Sequence, residues 1–500
     1  MISWKSLLRT KPIELSMKEA ESTGKKALSR TLGAIDLTAL GVGAIIGTGI
    51  FVLTGVAAAN FAGPAIIISF IISGLAAGLA ALCYAELAST VPVAGSAYTY
   101  TYSSLGEIVA WLVGWNLILE YLVAAAAVAV GWSGYFSDML KSVGVPVPAA
   151  LTLSPWEGGY INLPAVIITL LITWVAIRGT RESAKATKFI VFIKLSVILL
   201  FIAVGVFRVS PANWVPFAPF GFSGIMAGAA IVFFAYIGFD AVATAAEEVK
   251  DPKRDLPRGI IASLSISTVL YILVAAILTG MMKYTYLNTP SPISSALLAA
   301  GIRWASAFLS VGALAGLTSV LIAVIFAQSR VFFAMARDGL LPPVFAMIHQ
   351  KYKTPFINTL MVGAAVCLIA AFFPVKIIAE MANIGTLSAL AVVSLGVIIL
   401  RRTRPELDRP FKVPWVPFLP GIAVFSCLYL MFNLPVATWI RLIIWVGIGI
   451  GVYFLYGFNH SILRNPEITR DDMVLNNLVT PNARKDQEKK KPFRFRLGRA

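Results

Sequence analysis

Four glycines lie within nine residues of the first long apolar stretch, in the run Gly41-Val-Gly-Ala-Ile-Ile-Gly-Thr-Gly49. Each glycine in a helix interior costs up to about 1 kcal/mol relative to alanine, so the run favours a break in the helix. In a membrane, a broken helix is tolerated only where it lines a cavity or is buried in protein. The half-helix that begins near Thr48 and Gly49 would present unpaired N–H groups and a positive dipole end, which suit a carboxylate.

A second interruption is predicted in Phe233-Phe-Ala-Tyr-Ile-Gly-Phe-Asp240, again within a long apolar stretch. The carbonyls around Phe234, Ala235 and Ile237 would be released there and could accept hydrogen bonds from an ammonium group. Together the two breaks predict a site for a zwitterion such as an amino acid. The alternative is that Gly43-x-x-x-Gly47 is only a small-residue motif for helix packing. A dinucleotide fingerprint is excluded because the third glycine is missing and no strand precedes the run.

Lys194 is a cation inside an apolar stretch, six residues after Lys188 and therefore roughly 9 Å further along a helix. Ionisable groups at this depth usually face a cavity or a partner. Burial disfavours the charged form, so Lys194 could carry a proton whose loss lets neighbouring helices rearrange. The alternative is that its long side chain extends to the membrane surface.

Three carboxylates have less specific surroundings. Glu120, in the third apolar stretch, could bind an ammonium directly or through water, or could pair with a backbone or side-chain donor. Asp240 follows the second break, and we expect it to cap the half-helix that begins there. Glu86, near the end of the second stretch, resembles an interfacial carboxylate. Phe234 could close the site as an aromatic gate.

The amino-acid composition indicates which kind of secondary structure positions these side chains and breaks. Of the 500 residues, 58% are hydrophobic and 13% are charged, which is typical of an integral membrane protein and not of a soluble domain. A spanning helix needs about 20 predominantly apolar residues. Twelve stretches meet this requirement: 33–58, 65–90, 105–137, 162–178, 188–208, 221–248, 258–281, 304–329, 356–373, 378–400, 416–434 and 437–458.

The positive residues behind the net charge of +17 are distributed unevenly between the two predicted sides of the membrane. With the N-terminus inside, nearly all of the 41 Lys and Arg residues lie on the cytoplasmic side. The exceptions are Lys194 within a span and six residues at outer loops or helix ends: Lys141, Arg208, Lys283, Arg303, Lys376 and Arg441. This asymmetry obeys the positive-inside rule and predicts that both termini are cytoplasmic. The basic tails are expected to lie near anionic lipid, and no nucleic-acid partner is expected.

No enzyme chemistry is predicted. Cys83, Cys367 and Cys427 all lie in apolar spans, where they are expected to be packing residues. The two histidines, His349 and His460, lie at or beyond helix ends. We therefore expect no metal site, no cofactor and no constellation of nucleophile and base.

The two breaks also suggest an internal repeat, because spans one to five would correspond to spans six to ten. Interrupted helices at equivalent positions of two halves are typical of transporters with a site at the membrane midplane. An odd number of spans per repeat makes the halves inverted. The predicted organisation is a tail at 1–30, repeats at 31–208 and 209–400, two further helices at 401–458, and a basic tail at 459–500.

Several motifs together resemble the amino acid, polyamine and organocation transporter superfamily, specifically bacterial permeases of the cationic amino acid transporter type. They are Gly43-Ala-Ile-Ile-Gly-Thr-Gly-Ile-Phe51, Tyr84-Ala-Glu-Leu87, Pro92-Val-Ala-Gly-Ser-Ala-Tyr98, Phe234-Ala-Tyr-Ile-Gly-Phe-Asp240 and Glu247-Glu-Val-Lys-Asp-Pro-Lys-Arg-Asp-Leu-Pro257. The resemblance covers all twelve predicted spans. It implies an all-α leucine transporter-like fold, with a five-plus-five inverted repeat and discontinuous first and sixth helices.

The resemblance also implies residue roles. It assigns the substrate carboxylate to Ile46, Thr48 and Gly49, the ammonium to Phe234, Ala235 and Ile237, and a further contact to Glu120. Lys194 matches a lysine that occupies the ion position of related sodium symporters, which implies proton coupling. The side-chain pocket would include Val324, whose modest bulk favours small or medium neutral amino acids.

The sequence therefore predicts a proton-coupled L-amino acid symporter of the plasma membrane that works by alternating access. An exchanger and a permease for cationic amino acids are alternatives within transport. A membrane sensor that binds an amino acid without moving it is the alternative from another class.

Overall fold

The computed structural model describes residues 7–13, 32–91, 96–142, 144–178, 184–349, 352 and 354–464. Most of the two predicted tails, including Lys489 to Lys491, lies outside the described residues. Within the described part the regular structure is helical, with one isolated bridge between Leu32 and Val249. The predicted all-α fold class is therefore confirmed for these residues.

The principal helices, in chain order, are α1 (Ala34–Ile45), α2 (49–62, three consecutive helical segments), α3 (Ile66–Thr90), α4 (Ser96–Ser104), α5 (Glu107–Ser142), α6 (Leu163–Arg178), α7 (Ala184–Gly205), α8 (Gly221–Val232), α9 (Ala241–Thr244), α10 (Pro252–Met281), α11 (Pro292–Ala299), α12 (Arg303–Arg337), α13 (Phe356–Phe372), α14 (Val375–Thr403), α15 (Phe418–Phe432) and α16 (Val436–Val452).

Eight helical segments among the described residues are long and apolar enough to cross a membrane. The shorter apolar helices α1, α6, α13 and α15 have 12 to 17 residues, about 18 to 26 Å at 1.5 Å per residue. That is less than the hydrocarbon core, which is about 30 Å thick. All twelve predicted stretches overlap apolar helices, but the number that span stays a prediction.

Several predicted boundaries are wrong by about a helical turn or two. Helix α5 continues to Ser142 and α12 to Arg337, both beyond the predicted ends. Helix α10 begins at Pro252, six residues before the predicted start of its span at residue 258. Proline at the first helical position has a suitable φ and lacks only an N–H that would be unpaired anyway, so it favours an early start.

Helix α5 lies at the centre of the molecule, where it packs against α12 and α14. The most apolar part of α5 is 83% buried, whereas that of the segment containing α16 is 22% buried. Helix α10 packs against α3 and α1, and α7 packs against α12 and α1. The broken helices are thus surrounded by α5, α7, α10 and α12, which supply the side chains of the candidate site.

Candidate functional site

The first break lies where the glycine run predicts it. Helix α1 ends at Ile45, Ile46 has extended backbone (ψ 101°), and helical structure resumes with α2. The Thr48 hydroxyl donates to the Ala127 carbonyl of α5 at 3.4 Å. The N-terminus of the second half-helix is therefore held against the central helix.

The second break is also confirmed. Helix α8 ends at Val232, a single 3-10 turn follows, and Ile237 becomes extended. Gly238 has φ +111°, and a Cβ there would lie 2.9 Å from the Ala44 carbonyl oxygen of α1. Both the left-handed conformation and this close approach require glycine.

The two breaks are in direct contact. The Cα and Cβ of Ala235 lie so close to Gly49 that a side chain at Gly49 would overlap them. At Gly47, by contrast, an added Cβ would meet only Val320 at 3.5 Å, an ordinary contact. The glycines of the run therefore differ in role, because Gly49 permits the junction whereas Gly47 leaves room beside α12.

The carbonyls of the second break are less free than the sequence suggested. The Phe234 carbonyl accepts a hydrogen bond from the Ile237 N–H at 3.2 Å. The Ala235 carbonyl accepts one from the Tyr271 hydroxyl at 2.8 Å. An ammonium would have to share or replace these donors, since each carbonyl oxygen has two lone pairs.

Lys194 is fully buried and reaches the first break. Its ammonium donates to the Gly43 carbonyl at 2.8 Å and to the Ile46 carbonyl at 3.3 Å. The hydrocarbon part of the side chain packs on Gly316 of α12, where a Cβ would lie 2.9 Å from the lysine Cγ. The alternative that Lys194 extends to the membrane surface is therefore wrong.

Tyr271 of α10 joins the two breaks, and sequence reasoning missed it. Its hydroxyl oxygen lies 2.9 Å from the Ile45 carbonyl oxygen and 2.8 Å from that of Ala235. One phenolic proton can be fully donated to only one of these acceptors at a time. A tyrosine in an apolar span has no pattern that marks it, so only the contact reveals this position.

Glu120 is buried on α5, where its carboxylate faces Thr386 of α14 and the negative charge of Asp240. Asp240 does not cap the half-helix as expected, because its side chain makes no cap hydrogen bond. It accepts hydrogen bonds instead from the Tyr121 hydroxyl at 2.9 Å and the Ser96 hydroxyl at 3.2 Å. The Asp240 carboxylate thus combines tertiary partners on α5 and α4 with the nearby backbone N–H groups of Asp240 and Ala241.

Glu86, near the end of α3, is buried in an ion pair. It is 2% exposed and receives two hydrogen bonds from Arg401, at 2.8 and 2.6 Å, and one from the Val413 N–H at 2.7 Å. This bidentate pair joins α3 to the end of α14. Its geometry indicates a structural ion pair.

Val324 is half-buried on α12, one turn beyond Val320, which contacts the first break at Gly47. Residues four apart share a helix face. Gln328, one turn further, donates to the Ile118 carbonyl at 2.8 Å, and its Oε1 has no hydrogen-bond partner among the described residues. This face of α12 presents an apolar and a polar group on the side of α5.

A cavity of about 760 Å³ opens at one end of the molecule. It is lined by residues that include Lys141, Lys376 and Glu380, and it reaches Val52, just beyond the first break. None of the predicted site residues lines it. The predicted site therefore lies beneath this vestibule and not inside it.

The opposite end is closed by buried polar contacts. Glu107 marks this opposite end, because it lies 34 residues before Lys141 on α5 and therefore roughly 50 Å from Lys141 along the helix. There the Lys11 ammonium and the Tyr98 hydroxyl each lie 2.8 Å from the Asp338 carboxylate. Burial alone would raise the pKa of Asp338, but the charges of Lys11 and Arg337 hold it below its usual range.

Both ends of the described chain meet at this closed face. The Arg9 guanidinium donates to the Leu463 carbonyl at 3.3 Å, and the Arg9 carbonyl accepts from the Glu107 N–H at 2.9 Å. The Glu107 carboxylate also accepts from Tyr453 at 2.7 Å and Ser461 at 2.5 Å. Residues 7–13 and the described segment that ends at Arg464 thus lie on one side of the molecule.

Comparisons of this sequence with a family model and with individual known proteins agree with one another. The sequence model of the family described as amino acid permease matches residues 32–453. A methylthioribose transporter of Bacillus subtilis is 50% identical over 92% of this chain and 99% of its own length. A branched-chain amino acid permease of the same organism is 48% identical over 89% of this chain and 96% of its own.

More distant similarity extends to plants. A vacuolar cationic amino acid transporter 4 of Arabidopsis thaliana is 32% identical over 92% of this chain and 97% of its own length. These matches extend over nearly the whole length of each relative. They therefore include both helix breaks and the helices that surround them.

Proposed function

Because this chain belongs to the amino acid permease family of the amino acid, polyamine and organocation superfamily, we propose that it is a proton-coupled amino acid symporter of the plasma membrane. In this proposal twelve helices span the membrane as a five-plus-five inverted repeat with two additional helices. Both tails are cytoplasmic and lie near anionic lipid. The vestibule admits substrate from outside while the Asp338 and Glu107 clusters close the cytoplasmic side.

The contact of Lys194 with the first break carries the proposal. A charged ammonium stabilises the Gly43 and Ile46 carbonyls where the helix opens. Loss of the proton would remove the charge and weaken both hydrogen bonds, because bonds to charged groups are stronger than neutral ones. Protonation would therefore favour one arrangement of α1 relative to α7, and deprotonation would release it.

The substrate would bind across the two breaks. Backbone N–H groups near Ile46, Thr48 and Gly49 would hold the carboxylate, supported by the dipole of α2. The ammonium would compete with Tyr271 for the Ala235 carbonyl and would be held further by the Phe234 and Ile237 carbonyls and by Glu120.

The side chain of the substrate would point towards Val324 on α12. We propose a small or medium neutral amino acid, and the similarity to a branched-chain amino acid permease supports this class. The similarity to a methylthioribose transporter favours a second candidate, a neutral thioether sugar. That molecule has no carboxylate and no ammonium, so its hydroxyls would have to use Glu120 and the backbone groups.

Uptake into proteoliposomes tests the proposal. Labelled alanine, leucine, lysine and methylthioribose are offered separately, with a pH gradient or a sodium gradient imposed. We expect accumulation of a neutral amino acid driven by the pH gradient alone. Accumulation driven by sodium but not by pH would disprove proton coupling. Uptake that occurs only in exchange for amino acid inside the vesicles would identify an exchanger. Binding without uptake would identify a sensor.

Val324→Gly tests the side-chain pocket. The smaller residue should admit longer side chains and shift preference from alanine towards leucine or lysine by roughly tenfold or more, because the substitution removes a three-carbon isopropyl group. Ala323→Gly, at an exposed position of the same helix, is the control. An unchanged substrate profile would remove Val324 from the pocket.

A further inference from the structure

The charged motif Glu247 to Pro257 has no part in the proposed transport cycle. Its second half forms the first turns of α10, which begins at Pro252. There a cavity of about 590 Å³ lies between α10 and the segment that follows α14. Three of its lining residues are cations: Lys253, Arg254 and Arg258.

The charged side chains that line this cavity are all positive, and no acidic residue lines it. Lys253 pairs with Asp408 across the opening, at 2.8 Å. Arg254 and Arg258 are exposed and make no ion pair within the part of the chain that the structure describes. They are four residues apart, so both guanidinium groups lie on one face of the first turns, beside the positive end of a 30-residue helix.

The rest of the cavity is apolar. Pro257 and Ile261 lie on α10, and Phe411 lies opposite them. Beyond the cavity, the same face of α10 exposes Ile266, Val269 and Leu273, at 42%, 57% and 42% of their surface. A basic pocket at the helix end is thus continuous with an apolar stripe that runs along the helix into the membrane region.

We propose that this cavity binds one anionic phospholipid. The phosphate group lies between the guanidinium groups of Arg254 and Arg258, which can each donate two parallel hydrogen bonds to phosphate oxygens. An acyl chain follows the exposed stripe of Ile266, Val269 and Leu273. Basic pockets at the membrane surface of helical membrane proteins suit such headgroups. The proposal is independent of what the protein transports.

Native mass spectrometry of the full-length protein in detergent measures this binding directly. Phosphatidylglycerol and phosphatidylcholine with identical acyl chains are titrated separately. We expect one phosphatidylglycerol to bind with clear preference over phosphatidylcholine. Each basic residue near a membrane surface contributes roughly fivefold, so Arg254→Ala with Arg258→Ala should weaken phosphatidylglycerol binding about 30-fold.

The control variant is Arg178→Ala with Arg402→Ala, which removes two exposed arginines that do not line the cavity. It should change the affinity by less than about twofold. Equal losses in the two double variants, or equal affinity for the two lipids, would overturn the proposal.

Inorganic phosphate in excess over lipid tests the source of the anion. If phosphate displaces the bound phosphatidylglycerol completely, the cavity is a site for a free anion and the proposal is wrong. If the alanine variant does not fold, as judged by thermal melting, Arg254→Gln with Arg258→Gln takes its place. Retention of wild-type affinity by that folded variant would also contradict the proposal.

Discussion

The two helix breaks are stabilised by different chemistry. In the first, the Lys194 ammonium donates to the Gly43 and Ile46 carbonyls. In the second, the donors are uncharged: the Asn383 amide lies 2.7 Å from the Ala230 carbonyl and 2.9 Å from that of Ile231. The Tyr271 hydroxyl, also uncharged, bonds the Ala235 carbonyl.

The donors at the two breaks differ in how they respond to a change of pH. A charged donor changes its hydrogen-bonding strength when it loses a proton, whereas an amide keeps the same donors throughout the physiological pH range. Of the groups that donate to the break carbonyls, Lys194 is therefore the one that would respond to a proton in the proposed cycle. In the proposed transport cycle the second break keeps the same donors, and the Gly49 to Ala235 junction and Tyr271 would couple it to the first.

Lys194→Ala should have the largest effect. Hydrogen bonds to a charged donor contribute about 1.5 to 3 kcal/mol each, so loss of both should reduce proton-driven uptake at least about 100-fold. Lys283→Ala, an exposed lysine, should leave uptake unchanged. The measurement is uptake into proteoliposomes at a series of external pH values. Normal uptake with normal pH dependence in Lys194→Ala would remove the distinction between the two breaks.

Gly49→Ala should disrupt the junction. Its methyl group overlaps the Ala235 backbone, and overpacking of this kind costs about 1 to 3 kcal/mol. We expect a lower melting temperature in detergent and uptake reduced roughly tenfold or more. Gly47→Ala meets only Val320 at 3.5 Å and should keep the wild-type melting temperature. Equal destabilisation by both substitutions would show that the glycines serve only helix flexibility.

Tyr271→Phe should have the smallest of these effects. It removes a hydroxyl whose hydrogen bond is worth about 0.5 to 1.5 kcal/mol, so we expect KM to change by about tenfold or less. Tyr236→Phe is the matched control, because its hydroxyl bonds the Phe70 carbonyl of α3 at 2.8 Å and does not reach the first break. If both variants change KM equally, Tyr271 has no special role between the breaks.

The sequence predicted much of the fold but few of the polar partners. Glycine density located the first break, and an isolated cation in an apolar stretch identified Lys194. The side-chain partners of Asp240 and Glu86 were not predicted, because Tyr121 and Arg401 lie far away along the chain. Tyr271 and Gln328 gave no signal, since single polar residues in apolar spans resemble ordinary packing residues.

Membrane residence, helical structure and the two points of interruption were determined by the sequence alone, because apolar length and glycine content act on neighbouring residues. Which groups meet at those points was decided by the tertiary structure. The rotation and depth of each helix depend on close contacts such as Gly49 with Ala235 and Gly316 with Lys194. These contacts direct the lysine to one break and leave the other to uncharged donors.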